Sequence, residues 1–331
     1  MPKVAIHCKA SISDGMGHIY RQASLANELC KQGWEVSFYI PHFAPAIDLL
    51  TRCGFTPTLV DPEALISEYF NKFYDVAILD IQDTTESLIC SIKKFVPRIV
   101  SFEDLGPGRN HTDILIDCNL ALSESKKLTF DTRTLFGIDY SVLHPDFADY
   151  HERPREFNAS LQSVLITMGA TDPQGLTLPL TQLLLKEKKG LKLTALTGHN
   201  TTSASQFDEL ASQFKSLNLS GPVSNMAKTL WEHEMVVCAG GITLHEAIAV
   251  GTPALVISQV EHQQIKARFI EKSGAAINLG MGNKYDIEKL REALGTKKPK
   301  LESMSLKGKK LIDGRGVFRV TEAIAELTKK R

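Results

Sequence analysis

The strongest constraint on this chain is a rhythm: short apolar runs alternate with longer amphipathic stretches almost from end to end. In the first half, strands are expected at 4–8, 35–40, 55–60, 75–79, 98–102 and 113–118. Helices are expected between them at 19–31, 45–52, 62–71 and 84–95, and Gly33 suits the left-handed end of the first. Apolar runs without polar alternation fit strands buried on both faces, and regular strand–helix alternation produces parallel sheets joined by crossover helices. The fold class is therefore α/β.

The rhythm breaks over 141–161, a charged stretch with Pro145 and Pro154, which reads as a linker. It resumes with strands at 163–168, 191–196, 235–238 and 254–257, helices at 175–185, 204–214, 225–231 and 243–250, and a terminal helix at 317–329. A length of 331 residues suits two domains, and a hydrophobic content of 43% lets each bury a core. The expected division is an N-terminal Rossmann-like domain over 1–145, a C-terminal one over 160–315, and a final helix, 316–331, able to return to the first. In open parallel sheets, ligands bind beyond the carboxyl ends of the strands.

Several functional classes are disfavoured. Lys+Arg and Asp+Glu both total 38, so no nucleic-acid partner is expected. Met1-Pro2-Lys3 runs straight into Val4-Ala5-Ile6 without a basic and apolar leader, and no apolar run could span a bilayer. A cytoplasmic location without stable membrane insertion is expected. The six cysteines form no CxxC pair and read as reduced, buried thiols. No HxxxH or HExxH pair occurs, and Asp80 and Asp83 lack DxD spacing, so no metal is expected; these acids suit helix capping or a ligand hydroxyl.

Two turns carry the candidate chemistry. Asp14-Gly15-Met16-Gly17-His18-Ile19-Tyr20-Arg21 follows the first strand and opens the first helix. Gly15 and Gly17 permit a tight turn and close approach to a ligand, and the free amides of a helix start suit an oxyanion. His18 there can act as a general base near neutral pH. The alternative is a local Gly-rich turn with a packed histidine. Tyr20 stands where a dinucleotide fingerprint needs its third glycine. The second turn is Cys238-Ala239-Gly240-Gly241-Ile242-Thr243-Leu244-His245-Glu246. Gly240 and Gly241 bare backbone amides for a diphosphate, the Thr243 hydroxyl can add a donor, and Glu246 can accept both ribose hydroxyls. Otherwise Glu246 is a solvated helix residue. Downstream, Gln263 and Gln264 can bond sugar hydroxyls or N-acetyl groups.

The run from Gly240 to Ile257, followed by His262-Gln263-Gln264 and Gly274-Ala275-Ala276, resembles the nucleotide-sugar signature of the peptidoglycan N-acetylglucosaminyltransferase and its GT-B relatives. Gly15-Met16-Gly17-His18 resembles the first loop of that superfamily. With Asp80-Ile81-Gln82-Asp83-Thr84, Ser101-Phe102-Glu103-Asp104-Leu105-Gly106, Met168-Gly169-Ala170-Thr171-Asp172 and Asp313-Gly314-Arg315-Gly316, the chain resembles the spore coat polysaccharide (SpsG-like) family, which includes the UDP-sugar hydrolase of pseudaminic acid biosynthesis. The resemblance implies two Rossmann-like domains with parallel sheets facing across a cleft. It also implies a UDP-sugar substrate and no cofactor, with His18 as catalytic histidine. Substrate contacts are implied at Gly15, Gly17, Arg21, Asp83, Gly169, Thr171, Gly240, Gly241, Thr243, Glu246, Gln263 and Gln264. The hydrolase has an aromatic residue soon after its aspartate, where this chain reads Ile81-Gln82-Asp83-Thr84. The leading expectation is a UDP-sugar hydrolase. The alternatives are a metal-independent glycosyltransferase with a UDP-sugar donor and a non-catalytic nucleotide-sugar-binding protein; the oligomeric state is not indicated.

Overall fold

The computed structural model describes residues 1–61, 66–69, 73–118, 132–198 and 204–329. The chain forms two compact units, Met1–Pro145 with Arg315–Arg331, and Asp146–Gly314.

The first unit is built on a seven-stranded sheet in the order β3-β2-β1-β4-β5-β6-β7. These strands are β1 (Lys3–Cys8), β2 (Glu35–Pro41), β3 (Thr58–Val60), β4 (Val76–Asp80), β5 (Ile99–Phe102), β6 (Ile114–Asp117) and β7 (Arg133–Phe136). Every pairing is parallel. β4, β5 and β6 are buried along their whole length, which explains their unbroken apolar sequence. The chain order reverses between β1 and β4, where helices leave in opposite directions and the strand ends are left open. The terminal helix Gly316–Lys329 packs on the first helix, Gly17–Lys31. Most of the helix expected at 62–71 lies outside the described residues; within it, Ile66–Glu68 forms a single 3-10 turn.

The second unit repeats the plan with β8 (Ser163–Thr167), β9 (Lys192–Leu196), β10 (Leu217–Ser220), β11 (Met235–Cys238), β12 (Ala254–Ser258) and β13 (Ala276–Met281). Their order is β10-β9-β8-β11-β12-β13, again all parallel, with the reversal between β8 and β11. Leu165, Val237, Leu255 and Ile257 are fully buried at its centre.

The stretch 141–161 is not a free linker. Asp146–Glu152 is a helix belonging to the second unit. Its apolar face explains why: Phe147 is buried, and the Tyr150 ring meets Trp231 edge-on at 6.0 Å. Asp146 also accepts a hydrogen bond from Asn225 at 2.7 Å. Phe157 and Leu161 are buried in the main hydrophobic core of the second unit. None of the six cysteines is in a disulfide; Cys8, Cys118 and Cys238 are buried as expected, but Cys30 and Cys90 are exposed. No helix among the described residues is long and apolar enough to cross a membrane.

Candidate active site

Two loops converge where the first sheet reverses order. The loop after β1 closes on itself: the Gly15 amide donates to the Ser11 carbonyl at 3.0 Å, and Ser11 Oγ donates to Asp14 at 2.6 Å. Gly15 has φ +75°, which requires glycine's freedom, and it delivers the chain into the helix that starts at Gly17. No side chain caps that helix start. His18 lies in its first turn. β4 pairs directly with β1, placing Cys8 beside Asp80 at the strand ends.

His18 Nδ1 is therefore 2.8 Å from Asp80 Oδ1. A carboxylate at that distance fixes the proton on Nδ1 and leaves the Nε2 lone pair as the ring's base. His18 stays 15% exposed while Asp80 is only 1% exposed, so solvent reaches the ring and not the acid behind it. Asp80 also receives Arg21 Nη2 at 2.6 Å, Arg21 Nε at 3.0 Å and Gln22 Nε2 at 2.7 Å. Burial pushes the Asp80 carboxyl up, but the charges of Arg21 and His18 and their hydrogen bonds outweigh it and hold it at about 2. Asp80 thus neither caps a helix nor waits for a ligand hydroxyl. Arg21, expected among the substrate contacts, is buried, and its remaining nitrogen, Nη1, lies 3.1 Å from Glu103. Asp83 is exposed on the loop after β4.

The motifs after β4 and β5 fasten those two loops together. Thr84 donates its amide and its hydroxyl to buried Asp104, and Gly106 donates to the same carboxylate at 2.9 Å. A Cβ on Gly106 would lie 2.1 Å from the Thr84 carbonyl oxygen, so this approach requires glycine.

In the second unit the turn Gly240–Gly241 sits at the corresponding reversal, after β11 and beside the loop of Gly169 and Thr171 that follows β8. Gly169 has φ +92° and Thr171 is buried. No side chain caps the helix Ile242–Ala249, whose first amides are open to an anion. A Cβ on Gly240 would come within 2.9 Å of Gln263, so this turn is pressed against the start of the helix Glu261–Ser273. The Thr243 side chain hydrogen-bonds Glu246, and burial pushes the half-buried Glu246 carboxyl up to about 7 against that bond.

The two glutamines expected at the sugar differ. Gln263 Oε1 accepts from the Gln259 amide at 2.9 Å and braces the loop, leaving its NH₂ group for other partners. Gln264 is buried, and its Oε1 finds no partner among the described residues. Ser258 Oγ and Gln259 Oε1 share that condition at the end of β12. A buried polar atom without a partner costs about 1–3 kcal/mol, so these oxygens suit the hydrogen-bonding groups of a ligand or of water. Gln259 Nε2 donates to the Met168 carbonyl at 2.6 Å, tying this end of β12 to the end of β8. Sequence reasoning gave no individual role to Ser258, Gln259, Gln22 or Glu103; the place of Ser258 and Gln259 at the end of a buried strand was the available signal.

Comparison with known proteins agrees with this architecture. Residues 164–314 match the glycosyltransferase family 28 C-terminal domain. The spore coat polysaccharide biosynthesis protein SpsG of Bacillus subtilis is 28% identical, covering 98% of each chain. The UDP-2,4-diacetamido-2,4,6-trideoxy-beta-L-altropyranose hydrolase of Campylobacter jejuni is 24% identical over 82% of this chain and 97% of its own. The crystal structure of MurG from Acinetobacter baumannii superposes with a TM-score of 0.68 at 16% identity, covering 98% of this chain and 100% of its own. The chain therefore shares the two-unit parallel-sheet GT-B fold of MurG, matches the glycosyltransferase family 28 C-terminal domain over 164–314, and is similar to SpsG over nearly its whole length.

Proposed function

We propose that this protein is a UDP-sugar hydrolase acting at the anomeric carbon of a UDP-linked diacetamido-deoxy sugar, in nonulosonic (pseudaminic-type) acid or surface polysaccharide biosynthesis. The observation that carries the reading is the His18–Asp80 pair at the order reversal of the first sheet. A partly exposed imidazole backed by a buried carboxylate is an arrangement for moving a proton, and nucleotide binding alone does not need one. In the proposed step, water gives a proton to His18 Nε2 as its oxygen bonds to C1. The C1–O bond to the diphosphate breaks and UDP leaves with the electron pair. Within the second unit, the amides of Gly240, Gly241 and the helix start behind them suit the diphosphate of the nucleotide. The unsatisfied Gln259 and Gln264 carbonyl oxygens suit the N–H groups of acetamido substituents. A hydrolase acting on such a sugar among the relatives supports the same choice.

A glycosyltransferase is the second reading, favoured by the family 28 match over 164–314. It would use the same nucleotide site with an acceptor hydroxyl in place of water. Incubation with a panel of UDP-amino sugars in ¹⁸O-labelled water separates the two. Hydrolysis should release UDP without any acceptor and put the label on the sugar. Label on UDP would mean attack at phosphorus, and release that strictly requires an added acceptor would make the protein a transferase.

Glu246 supplies a test of the nucleotide site. Glu246→Ala is expected to weaken UDP binding by roughly 1.5–3 kcal/mol, the scale of hydrogen bonds to a charged group, without affecting folding. In the wild type the ionised carboxylate accepts both ribose hydroxyls, and protonation removes an acceptor. With this carboxyl at about 7, UDP affinity should rise as pH increases through that value. Calorimetric titration across pH 6–8 checks both points. Unchanged affinity in Glu246→Ala, with no pH dependence in the wild type, would make Glu246 a solvated helix residue.

A further inference from the structure

A base that takes a proton from water becomes a cation, so its surroundings must accept a positive charge. The charges around Asp80 do not do so by themselves. Arg21 lies against this carboxylate with Nη2 2.6 Å from one oxygen and Nε 3.0 Å from the other. Asp80 and Arg21 together carry no net charge, and an imidazolium beside them would leave a buried excess of one positive charge.

A second carboxylate changes the sum. Glu103 Oε1 lies 3.1 Å from Nη1 of the same guanidinium, in a side chain only 13% exposed. Cys118 Sγ donates to the same oxygen at 2.8 Å. The Arg21 guanidinium also lies over the Phe102 ring, 5.2 Å from its centre. Glu103 holds φ +48°, a left-handed conformation that a residue with a Cβ adopts at a cost of about 1–2 kcal/mol. Such strain persists only where the surroundings over-determine it. Here they do: the Glu103 amide donates to Ile116 at 2.8 Å, and the next residue, Asp104, is pinned by Thr84 and Gly106.

We propose that Glu103 is a positioning residue: by sharing Arg21 with Asp80, it leaves the cluster of His18, Asp80, Arg21 and Glu103 with one net negative charge, which a proton on His18 neutralises. The inference rests on the reading of His18 as the base. Among the described residues, the groups nearest the cluster leave that balance in place. His7 and Cys8 of β1 lie near Asp80, and burial drives the imidazole down and the thiol up, away from their charged forms. Cys118 donates its S–H to Glu103. Asp14 and Asp83 are exposed and Lys9 is half-buried on the following loops, where water screens them.

Glu103→Gln tests the charge, because it keeps the length of the side chain and an oxygen for Arg21. The His18 ring, followed by ¹⁵N NMR without substrate, should titrate roughly one pH unit lower in Glu103→Gln than in the wild type, the usual size of a neighbouring-charge effect. Glu103→Asp, which keeps the charge, should titrate close to the wild type. An unshifted midpoint in folded Glu103→Gln overturns the proposal. If that variant does not fold, the Glu103 carboxyl ¹³C signal of the wild type decides. It must report an ionised group throughout the range in which His18 titrates, and a protonated Glu103 there overturns the proposal. The readout needs no turnover, so its failure is distinct from failure of the hydrolase reading, which UDP release decides.

Discussion

Replacing His18 with alanine should lower UDP release by about 10²–10⁴-fold, the usual contribution of a positioned general base. Nucleotide affinity and stability should stay near those of the wild type. Affinity is spared because the proposed UDP contacts, Gly240, Gly241 and Glu246, belong to the second unit, whereas His18 belongs to the first. The loss should therefore fall on kcat rather than on UDP binding. Stability is spared because Asp80 keeps three other hydrogen bonds, from Arg21 Nε, Arg21 Nη2 and Gln22 Nε2. The lost ring was partly in water, so the cavity opens to solvent. Steady-state kinetics, calorimetry with UDP and a thermal melt on one preparation test the three statements together. A variant that turns over at the wild-type rate would reduce His18 to a packed turn residue. One that loses UDP binding as well would move His18 from the chemistry to the nucleotide.

The sequence was most informative where the chemistry is local. Gly15, Gly17 and His18 lie within four residues of one another, and the glycines of the second turn directly precede their helix. Partnership across the sheet was hidden. Asp80 is 62 residues from His18, and what unites them is the pairing of β4 with β1, a strand order that no local pattern records. For the same reason the surroundings of Arg21 were hidden. Its burial between Asp80 and Glu103 depends on three strand ends coming together.

The strands that escaped notice share a different cause. β7 and β10 are sheet edges with mixed burial, so neither is a clean apolar run. β13 contains Asn278 and Gly280, and its pairing slips by one residue beside Val256 and Ile257. Prolines and charges at 141–161 suggested a linker. However, Arg155 donates to Thr252 at 2.9 Å and to the His233 carbonyl at 2.6 Å, so even the charged part of the stretch is consumed by the second unit.

Asp80→Asn should be costly twice over, and the two losses have separate signatures. Asp80 sits at about 2 in the folded protein against an ordinary carboxyl value of 3.8. A depressed value means stability that is complete above the ordinary carboxyl range and is lost as pH falls through about 2. By linkage that contribution is about 2 kcal/mol near neutrality. The amide also leaves Arg21 buried with Glu103 as its remaining carboxylate, so the total cost should approach about 3 kcal/mol, the lower end for breaking a buried pair. A unit of this size would then melt roughly 10 °C lower. The variant should also lose the wild type's steep destabilisation between about pH 4 and 2. Turnover, measured well below the melting point, should fall by at least about 10²-fold, within the range of a lost general base. A neutral amide can still accept the Nδ1 proton, so the ring keeps its orientation; what disappears is the charge that favours imidazolium. Wild-type turnover in Asp80→Asn would show that His18 works without its carboxylate. A melt unchanged from the wild type would show that Arg21 does not depend on Asp80.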